Sequence, residues 1–166
     1  MIFVFRKVIC LLLCCVFLVG CYGKGNESVY EIFERVKTQV EIPDCEIYRY
    51  VRDDSQNQIL SRLYSHDGGL PPAVAFCDDY LICLYQGNEI WELHMFRTVS
   101  IYDNKRIYEM LVERRDLLQK SMLFSYDSEV TETRVRSAEI INYRNYVVLA
   151  VTDHNSLIRS EFEKTK

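Results

Sequence analysis

The chain has 166 residues and a formal net charge of −4. This length suits a single domain with a substantial core. No cluster of basic residues stands out, so nucleic-acid binding is not expected. Twelve tyrosines and eight phenylalanines favour a compact fold, and exposed tyrosines often take part in recognition.

The first 21 residues have three parts that follow one another as in a bacterial export signal. Arg6 and Lys7 supply a positive segment, and Val8–Val19 is apolar. The run Leu18-Val19-Gly20-Cys21 then resembles the lipobox of a lipoprotein precursor, in which a small residue precedes a cysteine. The resemblance implies cleavage between Gly20 and Cys21 and a diacylglyceryl group on the sulfur of Cys21.

Two other interpretations of this segment remain open. A membrane-spanning helix needs about 20 apolar residues, which this run reaches only if residues 1–5 extend it past the two charges. An ordinary secretory signal usually ends in an A-x-A-like site, and none is present here. The cysteine placed directly after Gly20 favours the lipoprotein interpretation.

We therefore divide the chain into a signal peptide (1–20), a lipidated cysteine with a tether (21–27) and one α+β domain (28–166). The expected location is the extracytoplasmic face of a bacterial cell membrane, contacted through the lipid on Cys21. Residues 1–20 hold two basic and no acidic side chains, so the remaining 146 residues have a formal charge of −6. Attraction to anionic headgroups is not expected from this charge.

Cysteine usage predicts buried thiols without a redox or zinc motif. Cys10, Cys14 and Cys15 fall within the discarded segment, which leaves Cys45, Cys77 and Cys83. An odd number excludes complete pairing within one chain. If Cys77 and Cys83 share a strand, about 20 Å separates them and no bond forms.

Apolar periodicity predicts eight elements in the order ααββαββα. The first helix begins at Ser28, where Ser28 and Glu31 have capping-box spacing, and Pro43 ends it. A second helix is predicted over 55–65, and two strands within 73–98 around 86–88. A long helix follows Ser100, and residues 125–136 are predicted as an exposed loop. The last elements are strands 138–143 and 146–152 and a helix capped by Thr152 or Asp153. We expect an α+β fold in which one set of helices packs on a mainly antiparallel sheet of about four strands.

Several positions in these elements carry specific expectations. In the second strand, Trp91, Leu93 and Met95 are expected on a core face, and Glu92, His94 and Phe96 on a partly covered face. The continuous apolar run 147–151 predicts a strand covered on both faces. Gly87 is expected to supply the positive φ of a tight turn. The inward face of the long helix is predicted to hold Ile107, Met110, Leu111, Leu117, Leu118 and Met122.

The second half of the chain resembles a known family of bacterial lipoproteins. The relevant runs are Glu92–Arg97, Glu113–Leu117, Ala138–Ile141 and Asn145–Val151. They are similar to domain of unknown function 4358, a family of small anchored envelope proteins with no assigned activity. The chain departs from that pattern at His94 and at Arg144, where glycine is expected in the turn. The resemblance implies no catalytic residues.

No established catalytic motif occurs, so no catalytic, cofactor or metal residue is assigned. Asp53-Asp54 and Asp78-Asp79 are acidic doublets, and His66-Asp67 lies in a predicted loop. His94 is expected to be a hydrogen-bonded sheet histidine, and His154 to begin the last helix. Arg114 and Arg115 are expected on an exposed helix face, paired with Glu113 or Glu109 or contacting a partner. Together with His94, these two arginines form the candidate interaction surface.

Two functions from different classes follow. The first is a non-catalytic anchored module that binds a protein partner or small ligand in the envelope. The second is a hydrolase of envelope polymer whose acidic residues and histidine assemble only in the fold. A deep cleft holding two or more of His66, Asp67, Asp78, Asp79 and Glu92 would favour the hydrolase.

Overall fold

A computed structural model describes residues 25–50, 58–65, 67–85, 87–125 and 128–165. Its helices are α1 (Val29–Lys37), α2 (Gln58–Tyr64), α3 (Asn104–Ser125), α4 (Glu129–Arg136) and α5 (Asn155–Glu163). Its strands are β1 (Cys45–Arg49), β2 (Cys77–Tyr85), β3 (Glu92–Thr98), β4 (Glu139–Tyr143) and β5 (Tyr146–Val151). Two short 3₁₀ helices, Pro72–Phe76 and Ile101–Asp103, lead into β2 and α3.

The strands within the described residues form one antiparallel sheet in the order β1-β2-β3-β5-β4. This confirms the α+β class and the antiparallel sheet. The predicted count of four strands is wrong because β1 was missed. β1 is an edge strand, and three of its five side chains are exposed, so it lacks the clear alternation of a half-buried strand.

Helices cover both faces of the sheet. The α1 face carries α1 and α5, whose Phe33, Ile158 and Phe162 pack with Leu93 and Val148. The α3 face carries α2, α3 and α4, and their apolar side chains form a second cluster with β2, β3 and β5. The expectation of a single set of helices is therefore wrong.

The second face of β3 is more deeply buried than predicted. Glu92 is 8% exposed, and His94 and Phe96 are 0% exposed, so the expectation of a partly covered face is wrong. β5 is buried along its whole length, as its apolar run predicts. Charged and polar side chains on β3 must therefore find partners inside the protein.

The ends of the helices confirm some predictions and correct others. The capping box of Ser28 and Glu31 is present. Residues 129–136 form α4 rather than a loop, capped by Ser128. α4 was missed because it buries only Thr131 and Val135, too few for a visible period. The last helix has His154 at its N-cap position, without a side-chain cap, rather than Thr152 or Asp153.

The tight turns differ from expectation at two residues. Positive φ among the described glycines occurs at Gly68, not at Gly87. Arg144 adopts φ 52° between β4 and β5, a conformation that costs a non-glycine residue about 1–2 kcal/mol. Its carbonyl oxygen accepts a hydrogen bond of 2.6 Å from the buried Asn104 side chain, which helps to hold the turn.

The inward stripe of α3 runs through Ile107, Leu111, Arg114 and Leu118. Ile107 and Leu111 are fully buried, whereas Leu117 is 53% exposed, so its predicted inward position is wrong. The side chain of Met122 lies outside the described residues, as do the predicted start of α2 at Ser55 and all of residues 1–24. None of the helices described here has the length and apolar character needed to cross a bilayer.

Candidate functional site

A buried polar network joins three elements on the α3 face. Glu92 and His94 lie two residues apart on β3, so their side chains point to the same side of the sheet. Arg114 reaches them from α3, and Tyr64 reaches them from the end of α2. Because spacings of three and four residues share one face of a helix, Arg114 lies on the inward stripe with Ile107, Leu111 and Leu118.

The hydrogen bonds of the network form a chain with consistent donors and acceptors. His94 Nε2 lies 2.9 Å from Glu92 Oε2. Arg114 donates to both carboxylate oxygens of Glu92, through Nε at 3.1 Å and a terminal nitrogen at 2.5 Å. The Tyr64 hydroxyl contacts His94 Nδ1. A neutral imidazole with its proton on Nε2 satisfies all these contacts, since Nδ1 then accepts from Tyr64.

Electrostatics favour this protonation state. Burial raises the pKa of Glu92, but the hydrogen bond from His94, the charge that His94 carries when protonated in acid, and the charge of Arg114 outweigh it and bring the pKa to about 2. Burial lowers the pKa of His94 more than the neighbouring carboxylate raises it. Burial also holds the pKa of Tyr64 well above its ordinary value. At neutral pH the network therefore holds an ionised Glu92, a neutral His94 and a protonated Tyr64.

In this hydrogen-bonded network, each ring nitrogen of His94 and each carboxylate oxygen of Glu92 has a partner within the protein. Both nitrogens of His94 are hydrogen-bonded, and both oxygens of Glu92 accept from Arg114. This arrangement fixes α2 and α3 against β3 through directional bonds. Its outer member, Tyr64, also lines a surface cavity.

The cavity lies between α3 and the segment that follows α2, and has a volume of about 550 Å³. That volume falls within the range of small-ligand sites. Its lining residues combine charge with apolar surface: Tyr64, Ser65, Asp67, Leu70, Pro71, Pro72, Ala73, Arg106, Glu109, Met110 and Glu113. Among the described lining residues, three carboxylates and one guanidinium give an excess of negative charge.

The acidic candidates named from the sequence do not assemble at one place. Asp67 lines the cavity, and Glu92 is sealed beneath Arg114. Asp78 pairs with Arg97 at 2.7 Å, and Asp79 accepts from the Val29 amide at the start of α1. His66 and Asp53-Asp54 lie outside the described residues.

The candidate interaction surface is also corrected. His94 is 0% exposed, so it belongs to no surface. Arg114 pairs with Glu92 rather than with Glu113 or Glu109, and its side chain is 14% exposed. Arg115 remains partly exposed and contacts Asp116. Arg106, Glu109 and Glu113 were not predicted as cavity residues, although their spacing places them on one side of α3.

The three cysteines are free thiols, and Cys45 on β1 is half-buried although burial of all three was predicted. Cys77 and Cys83 are buried on β2. Burial raises the pKa of Cys77 to about 12. The pKa of Cys83 is also raised, first by hydrogen bonding with the Cys45 thiol on the neighbouring strand and then by burial. Cys77 and Cys83 therefore pack as small, protonated core side chains.

The segment that precedes α1 is fastened to the domain. The Gly25 amide donates to Asn145 Oδ1 at 2.7 Å. The Glu27 carbonyl oxygen accepts from the Tyr146 hydroxyl at 2.7 Å and from Arg97 at 3.0 Å. Gly25 is buried so closely against the Tyr146 ring that an added Cβ would lie 2.2 Å from Cε2. Residues 25–27, predicted as tether, are thus held at the turn between β4 and β5.

Among the described residues, no group of three His, Cys, Asp or Glu side chains lies close enough to hold a metal ion.

Comparisons with known proteins give no relative from which a role could be transferred. No protein-family model, curated protein or solved structure matches the chain.

Proposed function

We propose that the chain is an extracytoplasmic bacterial lipoprotein, anchored to the membrane through Cys21, whose domain is a non-catalytic binding module. The observation that carries the anchor is the order of two positive residues, an apolar run and Leu18-Val19-Gly20-Cys21. Two or three acyl chains would give firm attachment, because each buried methylene contributes about 0.8 kcal/mol.

Growth with labelled palmitate tests the anchor in the full chain. The wild type is expected to incorporate the label, and Cys21→Ser is expected to lose it. Cys15→Ser is the matched control, since that cysteine lies within the segment to be removed and should leave labelling unchanged. Labelling that persists in Cys21→Ser, or is absent from the wild type, would contradict the proposed anchor.

The binding role is supported by the cavity beside α3. Its volume of about 550 Å³ suits a small ligand or one segment of a protein partner. Glu109 and Glu113 favour a positively charged group, and Leu70 with Pro72 offers apolar contact. The proposed occupant therefore carries a cationic group beside an apolar part.

Photo-crosslinking in native membranes tests this role. A photoreactive residue at Leu70, which is 52% exposed beside the cavity, should capture a discrete species, whereas one at Val130 on α4 should not. Glu109→Lys with Glu113→Lys should abolish capture, while Glu132→Lys on α4 should not. Capture that is equal from both positions, or indifferent to the cavity charges, would contradict the proposal.

The alternative is hydrolysis of an envelope polymer. One observation favours it, since the carboxylates of Asp67, Glu109 and Glu113 line a single cavity and glycoside hydrolysis commonly uses two carboxylates. The test is release of soluble fragments from purified cell-wall polymer. Fragments produced by the wild type but not by Glu113→Gln would favour hydrolysis over binding.

A further inference from the structure

The end of the domain that holds Gly25 also presents three exposed apolar side chains within four consecutive residues. Asn145 accepts from the Gly25 amide, and its own side-chain amide donates to the Thr98 carbonyl at 3.1 Å. Just after Thr98, the side chains of Val99, Ile101 and Tyr102 are 51%, 46% and 91% exposed. We call these three side chains the apolar tip.

The apolar tip adjoins polar and cationic residues from two other elements. Ile101 and Tyr102 line a second surface cavity, of about 460 Å³, with Lys105 and Tyr108 of α3 and with Arg144 of the β4–β5 turn. Elsewhere in the described parts of the chain, exposed large apolar residues are spread over β1, α3, α4 and the segment after α2. An apolar group rimmed by tyrosine and cations is typical of surfaces that meet a membrane interface.

Chain length limits how far this end lies from the proposed anchor. Cys21 and Gly25 are four residues apart, a span of at most about 14 Å when fully extended. The headgroup layer takes up about 5–8 Å of that distance. A lipidated Cys21 therefore keeps Gly25, and the elements bonded to it, within a short distance of the bilayer surface.

We propose that the apolar tip rests in the headgroup region of the bilayer, as a second membrane contact that orients the domain. The proposal depends on the lipid anchor put forward above. Because the remaining chain is acidic overall, the contact is apolar and aromatic rather than an attraction to anionic lipid. It places the opposite end of β3, about 20 Å away along its seven residues, toward the solvent.

Fluorescence quenching in membranes tests this orientation. The full chain with Tyr102→Cys is labelled with an environment-sensitive maleimide and placed in phosphatidylcholine vesicles that contain spin-labelled lipid. Val130→Cys is the matched control, since Val130 is 42% exposed and the adjacent Thr131 bonds Ile90 near the start of β3. The unsubstituted chain gives the background from Cys45.

The expected result is quenching at position 102 that exceeds quenching at position 130 by about twofold or more, since interfacial groups enter about 5–10 Å. Adding Val99→Ser and Ile101→Ser should reduce the quenching at 102. Equal quenching at both positions, or no effect of the serines, would overturn this inference in a preparation whose mass shows lipid on Cys21. An unmodified Cys21 would instead overturn the proposed function, and this inference with it.

Discussion

Apolar side chains pack helices onto both faces of the sheet, and on the α3 face β3 adds a buried polar network. On the α1 face, β3 contributes Leu93 and Met95 to an apolar cluster with α1 and α5. On the α3 face, the same strand contributes Glu92 and His94 to a hydrogen-bonded chain that reaches α2 and α3. Apolar burial is non-directional, whereas a buried ion pair must be satisfied in one geometry and responds to pH. The side chains that β3 places on the α3 face should therefore respond to acid, whereas Leu93 and Met95 on its other side hold no titratable group.

The largest expected effect comes from removing the shared acceptor of the network. Glu92→Ala should lower the free energy of unfolding by about 3–5 kcal/mol, because Arg114 loses its two-bonded carboxylate partner and His94 Nε2 loses its acceptor in the interior. The matched control is Asp116→Ala, which removes a carboxylate 47% exposed beside Arg115 and should change stability by about 0.5 kcal/mol or less. Urea unfolding measures both, and equal small effects would contradict the special role of the α3 face.

The second prediction is a loss of stability in acid to which His94 and Glu92 on the α3 face contribute. Glu161 of α5 adds to it, because burial raises the pKa of that carboxyl less than hydrogen bonds from Lys164 and Gln39 lower it. The folded pKa of His94 lies below its ordinary value of 6.5, so the unfolded chain takes up that proton first and stability falls as pH drops below about 6.5. The pKa of Glu92 falls from 4.5 to about 2, so its contribution is present above 4.5 and is lost toward pH 2. Each such proton changes stability by about 1.4 kcal/mol per pH unit.

A substitution on the α1 face sharpens this pH prediction. Leu93→Ala should lower stability by about 2–5 kcal/mol through the cavity it leaves, while the slope against pH stays that of the wild type. Glu92→Gln should flatten the part of the curve below pH 4.5. Unfolding curves recorded from pH 7 to pH 3 would decide between these outcomes. A flattened slope in Leu93→Ala would remove the proposed difference between the faces.

A smaller effect is expected at the outer end of the network. Tyr64→Phe removes the hydroxyl that contacts His94 Nδ1 and should lower stability by about 1–3 kcal/mol, because a buried acceptor loses its donor. Tyr102→Phe, which removes an exposed hydroxyl, should leave stability unchanged. Thermal unfolding monitored by circular dichroism measures both variants. If Tyr64→Phe left the stability unchanged, the hydrogen bond from Tyr64 to His94 Nδ1 would contribute nothing to folding.

The smallest effect on global stability is expected at the margin of the α1 face. Gly25→Ala places a methyl group against the Tyr146 ring, where 2.2 Å is available, and should release residues 25–27 from the domain. Hydrogen exchange should rise at the Gly25 amide, with the core of β5 unchanged. Asn26→Ala, at an exposed position, is the control. Unchanged protection at Gly25 would show that the segment tolerates the methyl group.

Sequence patterns predicted the elements that bury a full apolar face. Val29, Ile32 and Phe33 mark α1, and the run from Val147 to Val151 marks a strand covered on both sides. β1 and α4 escaped prediction because each is short and buries few side chains. Local periodicity carries no information about such elements, whose position depends on neighbours far away in sequence.

The candidate site was less predictable than the fold. Arg114 occupies an inward position of α3 at the spacing of Ile107, Leu111 and Leu118, but its charge suggested an exposed position. Its partner Glu92 lies 22 residues earlier, on β3. Only the three-dimensional arrangement of sheet and helix brings these charges together, so the sequence predicted a surface where the structure has a buried network. The cavity likewise combines α3 with the segment after α2.

The anchor and the proposed orientation both depend on lipidation of Cys21, and the intact mass of the membrane-extracted protein tests this modification. We predict a mass that corresponds to loss of residues 1–20 plus a diacylglyceryl group, with Cys21→Ala retaining the full chain and no lipid. An uncleaved and unmodified wild-type mass would contradict the anchor. Residues 1–21 would then require another role, and the proposed orientation at the membrane would fall with it.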